Sequence, residues 1–171
     1  IMFESSGIHA NGLTLARKLG YKLVDGFTTK LPNGKTYGKE LLTPTIIYSR
    51  LIQDLLDSGI DIHYMVNITG HGWRKLMRAK KAFRYVIDNI PKASDIFTFI
   101  QKHSGLSDKE MYATFNMGAG FAIFVNSDQA NKVLSISNKY KIKSWIAGKV
   151  QTGEKEVFIK PLNIKYKSND L

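Results

Sequence analysis

The segment Ser5-Ser6-Gly7-Ile8-His9-Ala10-Asn11-Gly12 runs directly into Leu13-Thr14-Leu15-Ala16-Arg17-Lys18. Its small residues and two glycines allow the backbone to turn sharply and to approach a ligand closely. Leu15 and Leu19 lie four residues apart around a basic pair, which predicts a short helix. A glycine- and serine-rich loop at a helix N-terminus presents free N–H groups and favours an anion such as phosphate.

Residue types alone leave two interpretations of this loop open. It has neither the Gly-Lys-Ser/Thr of a Walker motif nor the G-x-G-x-x-G spacing of a dinucleotide fold. Many Ser/Gly loops do no more than cap a helix, and on residue types this simpler interpretation is favoured over the phosphate interpretation.

The length and composition of the chain limit the fold and the chemistry that it can have. A chain of 171 residues can bury a sizeable core, so we expect a single domain over residues 1–171. The absence of cysteine excludes disulfides, thiolate metal sites and a cysteine nucleophile, and it fits a reducing compartment such as the cytoplasm. No apolar run is long enough for a membrane span, so no membrane association is expected. The apolar run Ile1-Met2-Phe3 enters the loop as though the chain were a fragment that opens inside a strand.

The charge is strongly positive, with 25 Lys+Arg against 14 Asp+Glu and a formal net charge of +11. Nucleic acid, an acidic partner or a phosphorylated small molecule could each account for it. The lysines are spread along the chain, and one dense cluster stands out at Arg74-Lys75, Arg78, Lys80-Lys81 and Arg84. RNA-binding fingerprints and zinc fingers are missing, so nucleic-acid binding ranks second.

Hydrophobic periodicity predicts alternating helices and strands, and hence a mixed sheet covered by helices. An alternating pattern at 60–68 predicts a strand with one buried face, and two further strands and a hairpin are expected later in the chain. The tail at 161–171 is rich in lysine and asparagine and is expected to fray. The predicted helices cover 13–19, 38–43, 48–58, 94–105, 107–112 and 128–140, and the later strands cover 82–88, 121–125 and the hairpin 144–150 with 156–160.

Two histidines and one asparagine are the candidate functional side chains. His9 and His71 lie in glycine-rich loops, where a histidine can donate to phosphate, act as acid or base, or simply be solvated or capping. Asn116 precedes a buried strand and could either bind a ligand or hold the turn. No paired carboxylates and no H-E-x-x-H stand out, so no metal site is predicted.

Four segments taken together resemble one known family. They are residues 5–13, Glu40-Leu41-Leu42-Thr43-Pro44-Thr45 with Ile47-Tyr48, Asn67-Ile68-Thr69-Gly70, and Glu110-Met111-Tyr112 with Thr114-Phe115-Asn116-Met117-Gly118. Across about residues 1–160, their order and spacing are similar to the C-terminal domain of the aminoimidazole ribonucleotide (AIR) synthetase family, the phosphoribosylformylglycinamidine cyclo-ligases.

The resemblance implies a three-layer α/β/α domain with partly ferredoxin-like topology, preceded by an N-terminal ATP-binding domain that this chain lacks. It implies an enzyme that uses ATP and Mg²⁺, bound mainly by the missing domain, to convert formylglycinamidine ribonucleotide to aminoimidazole ribonucleotide in purine biosynthesis. The full-length protein is expected to be a cytoplasmic homodimer, and this chain alone is expected to be inactive. The implied substrate- or phosphate-binding residues are Ser5, Ser6, Gly7, His9, Asn11, Gly12, Thr69, Gly70 and Asn116.

The segment Gly70-His71-Gly72-Trp73-Arg74-Lys75 departs from the family pattern. The family usually has a glycine triplet after Ile-Thr, followed by a Glu-Asn pair; here His71 replaces the middle glycine and the pair is missing. Two alternatives therefore stay open. One is a divergent member of the superfamily acting on another phosphorylated amide, and the other is a basic, non-enzymatic module that binds nucleic acid or a protein partner.

Overall fold

The computed structural model describes residues 1–171, which form six α-helices and eight β-strands. None of the helices is both long and apolar enough to cross a lipid bilayer. The strands are β1 (Met2–Glu4), β2 (Ile62–Asn67), β3 (Phe83–Ile87), β4 (Ala119–Val125), β5 (Ser144–Trp145), β6 (Gly148–Thr152), β7 (Glu156–Ile159) and β8 (Ile164–Lys167). The helices are α1 (Leu13–Gly20), α2 (Tyr37–Leu41), α3 (Ser49–Asp57), α4 (Asp95–Ser104), α5 (Asp108–Thr114) and α6 (Ala130–Lys139).

The first sheet has the strand order β2-β4-β1-β5, and all its neighbouring strands are antiparallel. The end of β1 lies opposite the start of β4, with Glu4 paired to Ala119. The end of β2 lies at the same edge, with Asn67 paired to Phe121. Because β1 and β2 both run antiparallel to β4, the loops after β1 and β2 and the loop before β4 meet at one end of this sheet.

The second sheet has the order β6-β3-β7-β8, and it corrects the predicted hairpin. Strand β3 lies between β6 and β7, so Val86 pairs with Lys149 on one side and with Phe158 on the other. The prediction that 144–150 and 156–160 pair with each other is wrong. The physical reason is that Tyr85, Val86 and Ile87 are all buried, and a strand covered on both faces favours the centre of a sheet.

The tail does not fray, which corrects a second prediction. Residues Ile164–Lys167 form β8, which pairs antiparallel with β7. Ile164 and Tyr166 are buried while Lys165 and Lys167 are exposed, so the lysines occupy the solvent face of an amphipathic strand. The hydroxyl of Tyr166 also donates a hydrogen bond to the Lys109 carbonyl.

Two hydrophobic clusters lie on opposite faces of the first sheet. Phe3 and Ile123 join residues of α3 and α6 in a cluster of 8, while Met2 and Ala122 join the second sheet and the remaining helices in a cluster of 26. Ile62 and Met65 of β2 pack against the small cluster, and Val66 packs against the large cluster. A bulge between Ile62 and Tyr64 interrupts the alternation. Both faces of β2 therefore contact hydrophobic residues, which corrects the expectation of one buried face. The predicted α/β class is confirmed, with the strands divided between two sheets rather than one.

Candidate functional site

Three loops that carry the predicted site residues meet at one end of the first sheet. We call residues 5–12, 68–72 and 115–118 the strand-end site. The Ser5 N–H donates to the Gly118 carbonyl at 2.9 Å. The Asn11 side-chain amide donates to the Ile68 carbonyl at 3.1 Å. The structure therefore brings together segments that are more than 100 residues apart in sequence.

Asn116 holds this arrangement in place. Its side chain is fully buried; Nδ2 donates to the Gly7 carbonyl at 2.9 Å, and Oδ1 accepts from Ser5 Oγ at 2.8 Å and from the Gly118 N–H at 3.0 Å. The backbone carbonyl of Asn116 accepts from the indole N–H of buried Trp73 at 2.7 Å. The polar atoms of this side chain are engaged by the protein, so Asn116 acts as a strut that fixes the loop.

Both serine hydroxyls of the loop are also engaged by the protein. Ser5 Oγ donates to Asn116, and Ser6 Oγ donates to the Pro44 carbonyl at 2.6 Å. These bonds fix the shape of the loop between residues 5 and 12. The contribution that the loop can make to an anion therefore comes chiefly from its backbone.

The backbone N–H groups of this loop are largely free. Those of Gly7, Ile8, His9 and Ala10 donate no hydrogen bond within the protein, although Gly7, Ile8 and His9 are buried residues. Unpaired N–H groups in a buried segment are costly, and a run of them forms a concavity that an anion can occupy. No side chain caps α1, whose N-cap is Gly12, so helix capping does not explain the loop.

His9 is a neutral donor in this loop. The ring is only 8% exposed, and burial lowers the pKa of His9 below its ordinary value of 6.5. Its Nε2 accepts a hydrogen bond from the Ser6 N–H at 3.2 Å, which places the ring proton on Nδ1. Nδ1 has no partner within the protein, and it is not among the fully enclosed unpaired atoms, so its proton remains available to a ligand.

Gly12 is required by both conformation and space. Its φ is +59°, in the left-handed region, and a Cβ there would lie 2.6 Å from Cζ of Phe115. This close approach packs the loop against the large hydrophobic cluster, to which Phe115 belongs. The neighbouring Asn11 is fully buried, and its Oδ1 is the one enclosed side-chain acceptor without a partner.

His71 lies in another loop of the strand-end site and does not contact His9. It is exposed, has a φ of 107°, and its Nδ1 lies 3.4 Å from the guanidinium of Arg78. The positive φ is the conformation that glycine favours, which agrees with the glycine that the family pattern has here. No hydrogen bond or ring contact joins His71 to His9.

Three side chains near these loops were not predicted as site residues. Tyr48 was noted as the first residue of a predicted helix and as part of one segment that carries the resemblance, yet its hydroxyl donates to the Glu4 carbonyl at 2.5 Å and its ring lies 6.5 Å from that of His9. Lys75 lies against the end of β2, where Nζ donates to the Asn67 carbonyl at 3.3 Å and to Thr69 Oγ1. Arg78 contacts His71, as described above. The basic cluster in the sequence was the available signal for Lys75 and Arg78, but nothing local linked it to the loops.

The chain contains no group of three or more His, Asp or Glu side chains that could hold a metal ion. The free backbone donors and the neutral His9 instead suit the oxygens of a phosphate group.

Fold and site together define an α/β domain whose strand-end loops offer backbone N–H groups to an anion. The family described as "AIR synthase related protein, C-terminal domain" matches residues 1–160, and the chain belongs to this family. The resemblance seen in the sequence is thus confirmed.

Curated proteins with similar sequences share one name, phosphoribosylformylglycinamidine cyclo-ligase. Those of Methanococcus vannielii and Methanocaldococcus jannaschii are each 44% identical over 149 residues, which is 86% of this chain. That of Methanobrevibacter smithii is 39% identical over 161 residues, or 91% of this chain. The matched region spans 42%, 43% and 46% of these three relatives, so the chain covers less than half of their length.

Proposed function

We propose that this chain is the substrate-binding C-terminal part of an ATP-dependent cyclo-ligase that converts formylglycinamidine ribonucleotide to aminoimidazole ribonucleotide in purine biosynthesis. Family membership and the shared name of the similar relatives support the proposal. The observation that carries it is the run of undonated N–H groups at residues 7–10, because a ribonucleotide presents a phosphate monoester that such a loop can bind.

In this proposal the chain binds and orients the substrate. The backbone of Gly7–Ala10 holds the phosphate oxygens, with the N-terminus of α1 contributing its positive dipole end. His9 donates from Nδ1 and keeps its proton, because the lone pair of Nε2 is already occupied by the Ser6 N–H. Fixing the substrate in this way lowers the barrier to ring closure by holding the reacting groups in place.

The remaining parts of the reaction are assigned to the rest of the protein. ATP, when bound, supplies the phosphoryl group that activates the formyl oxygen. We assign the binding of ATP and Mg²⁺ mainly to an N-terminal ATP-binding domain of the same protein. We further propose that residues 1–171 are one domain, inactive alone, and that the full-length protein is a cytoplasmic homodimer.

One observation favours a second candidate, a superfamily member that acts on another phosphorylated amide. His71 occupies a left-handed position where the family pattern has glycine, and the Glu-Asn pair of that pattern is missing from the residues that follow. Because these residues follow β2 at the strand-end site, they can change which substrate is accepted.

The test is a cyclisation assay on the full-length gene product with ATP, Mg²⁺ and formylglycinamidine ribonucleotide. We expect turnover in the natural protein and a fall of at least tenfold in kcat/KM for His9→Ala, because a hydrogen bond to a charged group contributes about 1.5–3 kcal/mol. His63→Ala is the matched control, since His63 is an exposed histidine of β2 outside the strand-end site.

Two results would contradict the proposal. A folded, ATP-binding protein that gives no turnover would show that the substrate is another phosphorylated amide. Normal turnover in His9→Ala would show that the loop at residues 5–12 does not hold the substrate.

A further inference from the structure

The segment that follows β2 carries an unbalanced positive charge. Residues 62–87 contain no Asp or Glu. Their basic side chains, apart from two histidines, are Arg74, Lys75, Arg78, Lys80, Lys81 and Arg84. Of the four ion pairs in the chain, two involve this segment, His63 with Asp61 at 3.1 Å and Arg84 with Glu156 at 2.9 Å, and the other five Lys and Arg side chains form none.

Arg74 also has a structural role. Its guanidinium donates to the carbonyls of His71, Ala113 and Asp170, and so ties the C-terminal residues to the end of α5. Arg74 and Arg84 are therefore accounted for by contacts within the protein. These two side chains are not available to a ligand.

Lys75 and Arg78 are close to each other and have no carboxylate partner. Lys75 contacts only neutral oxygens, and Arg78 contacts only the ring of His71. Burial, and next the positive charge of Arg78, lower the pKa of Lys75. Two like charges held together without a counterion repel each other, and an anion bound between them relieves the repulsion.

Gly70 lies between Thr69, which Lys75 contacts, and His71, which Arg78 contacts, and it leaves space for a ligand. Its φ is outside the left-handed region, and a Cβ at this position would meet no atom within 4 Å. Neither backbone conformation nor packing therefore requires glycine here, and the open side of Gly70 allows a ligand to approach the backbone closely. The N–H groups of Gly70 and His71, both exposed residues, donate no hydrogen bond within the protein.

We propose that Gly70, Lys75 and Arg78 form a phosphate-binding site next to the Gly7–Ala10 loop, to which it is joined by the bond from Asn11 to Ile68. The inference rests on the proposed function, since that reaction brings two sources of phosphate to this end of the sheet. One is the ribose phosphate of the substrate, and the other is the polyphosphate of ATP. Both present the same oxygens to two cations and two N–H groups.

A small phosphorylated molecule fits this site better than a nucleic acid. Proteins that bind single strands stack bases on exposed aromatic side chains. Of the four aromatic residues of the segment, Trp73 and Tyr85 are 0% and 2% exposed, and Tyr64 and Phe83 are half-buried, so none is exposed. The segment thus offers cations and backbone donors around one glycine rather than a stacking surface.

The test is an NMR titration of amide signals in the 171-residue chain, with inorganic phosphate, ribose 5-phosphate and metal-free ATP added separately. We expect the Gly70 and His71 amides to shift on addition of at least one of these ligands. Arg78→Gln and Lys75→Gln should each weaken binding about tenfold or more, because each removes a charge-assisted hydrogen bond. Gly70→Ala should weaken binding without changing the unfolding midpoint. Lys22→Gln and Lys149→Gln are matched controls, because they remove exposed charges elsewhere and should change affinity less than twofold.

The three ligands separate the two sources. Dependence on Arg78 for ribose 5-phosphate but not for ATP assigns the site to the substrate, and the reverse result assigns it to the polyphosphate. Amide shifts confined to residues 7–10, or affinity unchanged in Arg78→Gln, would overturn the proposal. The proposal would also be overturned if single-stranded RNA bound more tightly than any of the three ligands, provided that this binding depended on Arg78 and fell steeply with salt.

The result is independent of the cyclisation assay. Phosphate binding that depends on Arg78 in a protein that does not cyclise the substrate would leave this site standing and refute the proposed function. Normal cyclisation together with phosphate binding that does not depend on Arg78 would support the proposed function and refute this site.

Discussion

Replacing Asn116 by alanine removes the strut of the strand-end site. Three hydrogen bonds are lost, and the Gly118 N–H and Gly7 carbonyl are left without partners in a buried region. Each neutral bond contributes about 1 kcal/mol, and each buried group left unpaired costs about 1–3 kcal/mol. The two unpaired groups and the lost bond from Ser5 Oγ should together lower the free energy of unfolding by about 3–7 kcal/mol, a large part of the total for a domain of this size. Guanidinium unfolding followed by circular dichroism and by fluorescence, to which buried Trp73 contributes, measures the change.

Ser5→Ala is the control for this prediction. It removes only the bond from Ser5 Oγ to Asn116 Oδ1, which still accepts from Gly118, so we expect a loss of about 1 kcal/mol. The double variant should cost about 1 kcal/mol less than the sum of the single variants, because both remove the same bond. A loss below 1 kcal/mol in Asn116→Ala, or strict additivity in the double variant, would refute the strut interpretation.

Gly12→Ala should lower the free energy of unfolding by about 2–5 kcal/mol, because the left-handed φ costs about 1–2 kcal/mol and the contact with Phe115 adds overpacking of about 1–3 kcal/mol. Gly59→Ala has a similar φ and open space, so it should show only the conformational cost in the same unfolding experiment. His9 has a folded-state pKa below 6.5, so the unfolded state binds more protons, and stability should rise with pH up to about 6.5 and be lost as the pH falls toward the folded pKa. Unfolding midpoints measured from pH 5 to 8 should show this slope, and His9→Gln should flatten it; a slope unchanged in His9→Gln would exclude His9 as its source.

Much of the secondary structure could be predicted because its signals are local. The helix at 48–58 follows from apolar residues at helical spacing, and the capping box of Ser107 and Glu110 is present at the start of α5. The pairing of β6 and β7 could not be predicted in this way. Their separation in sequence suits a hairpin, and only the non-local insertion of β3 between them excludes it.

The tail shows how composition can hide a pattern. Lysine and asparagine dominate residues 161–171, yet Ile164 and Tyr166 alternate with Lys165 and Lys167 as an edge strand requires. The alternation was present in the sequence, but four residues are too few to outweigh the overall polarity. The strand is stable because β7 provides a partner and the large cluster provides a cover for Tyr166.

The candidate site was located by its loops, while the roles of its side chains needed the structure. Ser5 and Asn116 were predicted to bind substrate or phosphate, and their side chains instead bind the protein. Nothing in the local sequence Phe115-Asn116-Met117-Gly118 shows whether the asparagine binds a ligand or holds the turn. The distinction depends on Gly7, which lies 109 residues away.

At the strand-end site, we expect backbone groups to provide affinity for phosphate and side chains to provide specificity among phosphorylated ligands. In the proposed function, the loop at residues 7–10 binds phosphate through backbone N–H groups, which any sequence that keeps the loop shape also provides. Residues such as Asn116 and Gly12 therefore fix the shape of the loop. A sequence resemblance based on these residues indicates that the loop shape is shared, and it says less about which ligand is bound. Choice among phosphorylated ligands must then come from side chains that reach the ligand. The positive charges of half-buried Lys75 and exposed Arg78 meet that requirement, and they lie in the segment where this chain departs from the family pattern. Substitutions there should alter which phosphate compound is bound, whereas substitutions of the strut should weaken all of them together.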